Sequence, residues 1–193
     1  MPKNYGYTSS GYGNCCVSKM EFQLSNCFRL LWEQHIYWTR MVILAIAFGS
    51  PDLEATTNRL LRNAPDFAKV FSRFYDDEIA DEFGRLITDH LKIAAELVTA
   101  AKAGNSKTAE NAERRWYKNA DEIACFLAQI NDCWSYEDMR DMWFKHLALT
   151  KDEAVAILNK KFNKSISIFD QIEILALKMA DSFTCGIVCQ FGH

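Results

Sequence analysis

From residue 18 onward this chain contains very little that would break a helix. Proline occurs only at positions 2, 51 and 65, and beyond Gly13 glycine recurs only at 49, 84, 104, 186 and 192. No stretch alternates apolar and polar residues with the two-residue period of a half-buried strand. The apolar residues return every three or four positions instead, which is the period of an amphipathic helix. An all-α chain follows, with the rare Gly and Pro acting as punctuation between long helices.

Capping signals place the helices. Ser18-Lys-Met-Glu21 has the form of a capping box and opens a helix reaching Gly49. A second helix starts at Ser50-Pro51-Asp52 and runs to about Tyr75, with Pro65 splitting or kinking it after Asn63. A third spans Asp77 to Ala103 and a fourth Ser106 to Ile130. A short fifth is expected over Ser135 to Leu149. A second capping box, Thr150-Lys-Asp-Glu153, predicts the start of a sixth that continues to Cys189 with an interruption near Asn163. About six helices with short connections imply an antiparallel bundle with a four-helix-like core, in general architecture like ferritin and hemerythrin. Residues 1–17, rich in Gly, Tyr and Ser, read as a flexible tail, and 18–193 as a single domain.

Charge narrows the function. Lys and Arg total 22 against 25 Asp and Glu, with no basic block, so a nucleic-acid partner is not expected. The most apolar run, Val42–Phe48, lies between Arg40 and Asp52 and is far short of the roughly 20 residues a membrane span needs. A cytoplasmic location is the default. The seven cysteines contain no CxxC pair. They read as small core-filling thiols in a reducing compartment. Cys185 and Cys189, four apart on one side of a helix, are the sharper alternative as a metal or redox pair.

Three histidines stand out. On a helical wheel, His35 sits at the centre of a stripe formed by Phe28, Leu31, Trp38, Thr39, Val42 and Ile46. His90 is centred among Phe83, Leu86, Ile87, Ile93, Ala94 and Leu97, and His146 among Met139, Met142, Trp143 and Leu149. The local strings "EQHIYWTR", "TDHLKIAA" and "FKHLALTK" are alike, a hint of related helical units. His193, the last residue, carries no such context. A single core histidine is ordinarily satisfied by a carbonyl or carboxylate. Three separate burials would each cost about 1–3 kcal/mol if unpartnered, and one shared metal ion would offset them together.

On the last helix Glu173 falls about 40° from the centre of the stripe around Phe169, which makes it the expected fourth ligand. Asn119, on the apolar face with Trp116, Ala120 and Ile123, either orients a histidine from behind or fills a packing gap. Arg40 is expected to pair with a neighbouring carboxylate such as Asp181. The ferritin-type Glu-x-x-His pair, His-Glu-x-x-His, phosphate-binding glycine loops and a nucleophile elbow are all absent.

The strings "LWEQHIYWTR", "RLLRNAPDF", "ITDHLKIAAELVTAAKAG", "RRWYKNADEIACFL", "KHLALTKDEAV" and "FDQIEILALKMADSFTCGI" together resemble a family of uncharacterised bacterial all-helical proteins, over about residues 28–188. The resemblance implies a helical fold and no particular activity.

The expected site is therefore His35, His90, His146 and Glu173 around a mononuclear or loosely dinuclear Fe, Mn or Zn centre, with Asn119 behind them. Three nitrogens and one oxygen leave room for water or O2. That suits a redox or oxygen-handling protein first and a metal-dependent hydrolase second. Five tryptophans and thirteen phenylalanines also raise a haem pocket with a histidine axial ligand, although no CxxCH is present. The competing expectation is a structural or interaction module whose histidines bond internally and whose tail and cysteines serve assembly. A homo-oligomer and a small-molecule ligand stay open under either reading.

Overall fold

The computed structural model describes residues 17–192. The expectations for the tail, for Cys15 and Cys16 and for His193 lie outside the described residues, Val17 excepted. Within them the chain is all-helical, with no strand. It forms α1 (Lys19–Phe48), α2 (Leu53–Leu61), α3 (Asn63–Phe71), α4 (Asp77–Lys102), α5 (Ser106–Ile130), α6 (Tyr136–Leu158) and α7 (Phe162–Phe191). None of these helices is long and apolar enough to cross a membrane.

The termini are set by short polar side chains and left-handed residues. The Ser18 hydroxyl accepts from the Glu21 N–H at 3.0 Å, and Asp76, Asn105 and Ser135 cap α4, α5 and α6 the same way. Gly49 and Gly104 end the first and fourth helices with φ of 67° and 71°, where a Cβ would be strained. Pro65 is the third residue of α3, where its missing N–H is not needed. The break falls at Arg62, one residue earlier than the sequence suggested.

One boundary differs by more. Thr150 opens no helix, because α6 runs straight through it to Leu158. An N-cap must leave helical geometry, whereas Thr150 stays within the helix and is buried one turn beyond His146, on the face that continues into Ala154 and Ile157. The chain turns instead at Asn159–Lys161, with Lys160 left-handed at φ 58°.

The helices follow one another round a ring. α2 and α3 pack between α1 and α4, then come α5, α6 and α7, and α7 closes on α1. α1 also reaches across the ring to α4 and α6. One hydrophobic core, rich in Phe and Trp, fills the centre.

The ring is built from one pattern used three times. Each of α1, α4 and α6 carries a buried histidine, and a left-handed residue follows it by 14 positions (35 to 49, 90 to 104, 146 to 160). The residue seven before the histidine is Phe28, Phe83 or Met139, and the one after it is Ile36, Leu91 or Leu147, all buried. The returning helices repeat Ala64, Ala120 and Ala176, then Phe71, Leu127 and Phe183, also buried. Three helical hairpins therefore each present a histidine at the same depth.

Candidate metal centre

The three histidines meet. The ring centroids of His35 and His146 are 5.3 Å apart, those of His35 and His90 5.8 Å, and those of His90 and His146 5.9 Å. One nitrogen from each ring lies within 4.8 Å of the other two. Each residue is 1% exposed. Trp32, Trp116 and Trp143 pack round the trio, with Trp32 5.3 Å from His35 and Trp143 5.2 Å from His90 between ring centroids.

Two of the rings are locked by asparagines. Asn119 Nδ2 donates to the Leu86 carbonyl at 3.1 Å, so its Oδ1 is the atom facing His90 Nδ1 at 3.2 Å. Asn63 does the same for His35: Nδ2 donates to the Leu31 carbonyl at 3.0 Å, and Oδ1 meets Nδ1 at 2.9 Å. An amide oxygen only accepts, so each Nδ1 carries the proton and each Nε2 keeps its lone pair. In both cases the carbonyl belongs to the residue four before the histidine.

His146 has no such partner. Its Nδ1 is buried and makes no hydrogen bond. The position equivalent to Asn119 on the third hairpin, 56 residues on, holds buried Leu175. The indole N–H groups of Trp32, Trp116 and Trp143 and the hydroxyls of Thr39 and Thr150 are also buried without partners.

Burial holds all three rings neutral. It lowers the pKa of His35 from 6.5 to about 4. For His90 burial, and then the nearby His35, lower it to about 3. His146 is pushed well below 6.5 by burial first and then by the other two rings. Neutral imidazole is the form that binds a metal.

Glu173 does not join this group. It is half-buried on the outer side of α1, where its Oε1 accepts from the Tyr37 hydroxyl at 3.2 Å. It is close enough to Glu33 to raise that residue's pKa, after the effect of burial. α7 packs on both α1 and α6, so its apolar arc is wide, and a residue 40° from the arc's centre faces the α1 seam rather than the middle of the ring. Asn119 meets His90, one of the two roles its place on the apolar face left open. Asn63 was missed, although "NAPDFA" and "NADEIA" share the Asn-Ala start and the later Ala.

Two other expectations are corrected. Arg40 pairs with Glu153 of α6, and Asp181 is held by Arg29 in a bidentate pair of 2.9 and 2.7 Å. Glu153 is 1% exposed, and burial pushes its carboxyl up to about 7 even with the Arg40 guanidinium beside it. Cys133 and Cys189 form a disulfide, so they are not free thiols, and Cys185 is left exposed and unpaired.

A cavity of about 140 Å³ adjoins the trio. Its wall includes His35, His90 and His146, then Val42, Ile43, Leu91 and Val98. The adjoining space is about the size that holds one benzene ring, far too small for a porphyrin, so the haem reading does not fit it. No protein-family model, curated protein or solved structure matches the chain.

Proposed function

We propose that the protein binds one metal ion through His35, His90 and His146, and that this centre handles oxygen or another small redox partner. The observation that carries the reading is the convergence of three neutral rings from three hairpins. Two of them have their tautomer fixed by an asparagine so that Nε2 is free. This is the outer-shell arrangement that orients ligating histidines. Three neutral nitrogens suit iron or zinc. Without Glu173 the set has no hard oxygen donor, which weakens the case for manganese. A three-histidine set would leave coordination positions open, and an apolar cavity adjoins it. When bound, the metal would supply Lewis-acid or redox chemistry there; the chain's own part is to hold the rings, keep water scarce and admit a small apolar molecule. That setting favours oxygen handling over hydrolysis of a polar substrate.

The structural-module alternative is met by His35 and His90, whose asparagine bonds would suffice without metal. It is not met by His146, which makes no such bond at Nδ1, so internal hydrogen bonding does not account for its burial beside the other two rings.

Metal analysis of protein purified without a His tag is expected to give close to one metal per chain, and His90→Ala to lose it. Trace metal in the parent protein, unchanged by His90→Ala, would contradict the reading.

A further inference from the structure

We infer that the cavity beside the histidines binds a small neutral organic molecule, apolar along its length and carrying one oxygen, with that oxygen turned toward the imidazoles. The inference rests on the metal reading only for part of what meets the oxygen. The cavity is a property of the apo chain.

Size comes first. A cavity of about 150 Å³ lined by apolar side chains takes up benzene, and the space here is about 140 Å³. Roughly six to eight non-hydrogen atoms therefore fit. The wall away from the histidines is aliphatic, from Val42, Ile46, Leu60, Leu97 and Val98 to Leu158.

Polarity is concentrated at the histidine end. Thr39 and Thr150 stand one turn beyond His35 and His146 and line the cavity. A helical threonine commonly donates its hydroxyl to the carbonyl four residues back, and Thr57, Thr88, Thr99 and Thr184 all do so here. Thr39 and Thr150 do not, and both hydroxyls are buried without any partner. Trp116, also in the wall, has a buried indole N–H in the same condition. At the matching position of the second hairpin stands Ala94. Thr39, Thr150 and Trp116 thus set three unpartnered donors in the wall beside the trio, and rotation about χ1 of either threonine brings its hydroxyl to a ligand oxygen.

The ligand is neutral. The lining's charged groups, Lys151 and Glu113, are partly exposed and pair with each other. In the metal-free chain no uncompensated charge remains in the wall to meet an ionised head group.

Benzene, 1-hexanol and hexanoate, titrated into metal-loaded and metal-free protein by calorimetry, test this. Benzene and 1-hexanol should bind saturably to both forms, and in the metal-free form hexanoate should bind at least about tenfold more weakly than 1-hexanol, since an ionised head finds no partner there. Thr39→Val with Thr150→Val should weaken 1-hexanol about three- to tenfold and leave benzene unchanged. Val98→Phe should abolish binding of both while metal content is retained; Ala101→Leu serves if Val98→Phe does not fold. Failure of both neutral probes to bind either form overturns the inference and leaves the metal reading standing. So does 1-hexanol binding that ignores the threonine changes, since the oxygen would then lie elsewhere. Probe binding by a protein that takes up no metal supports the cavity and removes the metal reading.

Discussion

Asn63 and Asn119 are the residues on which the site's geometry turns. Each amide faces two ways, donating to a backbone carbonyl and accepting from a ring N–H, and so decides which nitrogen of its histidine keeps a lone pair. Replacing either by Ala removes that control and leaves a buried Nδ1–H unpaired. Metal affinity is expected to fall about 10- to 100-fold for each, measured by competition with a chromogenic chelator; an unchanged affinity would mean the asparagines only fill space. The same burial sets the pH response of the metal-free chain. Above pH 6.5 the three rings are neutral folded and unfolded. Below it the unfolded chain takes up protons that the folded chain refuses, down to about pH 4 for His35 and about 3 for His90. Stability is therefore lost as pH falls through that window, by about 1.4 kcal/mol per unit for each histidine. Glu153, raised from 4.5 to about 7, acts oppositely between those values, as one group against three. Urea melts between pH 7 and 4.5 should show falling stability, and a flat profile would contradict the neutral trio. The histidines were legible because each sits centrally on a 3.6-residue stripe. Glu173 was misread because a wheel shows distance from a stripe's centre but not which neighbour covers its edge.

At the scale of the helix, the hairpin is the repeating unit. The third unit departs from the other two at one functional position: Leu175 stands where the second has Asn119, and the third histidine is the one with a bare Nδ1. Leu175→Asn is expected to give His146 the missing partner. In a double-mutant cycle with His146→Leu, the pair should show a favourable coupling of about 1 kcal/mol or more; zero coupling would mean the third hairpin is set differently from the second. Most helix ends could be read from Ser, Asp, Asn and Gly because those caps are local. The false start at Thr150 arose because the Thr-x-x-Glu pattern is also what two inward-facing residues look like, one lining a cavity and the other, Glu153, meeting Arg40 from α1. The partner that decides between the readings is 113 residues away in sequence, beyond the reach of any local rule.

For the whole molecule, closure of the ring brings the three histidines to one point. α7 must return to α1 after the chain has passed through every other helix. Cys133, in the α5–α6 connection, and Cys189, near the end of α7, are joined across 56 residues and tie that last hairpin. Reducing the bond should lower stability by about 2–4 kcal/mol, with the helical content below the melt unchanged. An unaltered melting temperature in reductant would show that the ring closes without it. All-α character was legible throughout the chain, from the scarcity of breakers. The closed ring was not, since it depends on which faces of distant helices meet. The alike strings around the histidines were its one visible trace.

The most direct test is X-ray absorption at the metal edge on protein loaded with one equivalent of cobalt(II) or zinc, compared with His146→Leu. Three imidazole nitrogens at about 2.0–2.1 Å in the parent, falling to two in the variant, are the predicted result. A first shell of oxygens alone, or one indifferent to His146, would contradict the claim that the three hairpins build one metal centre.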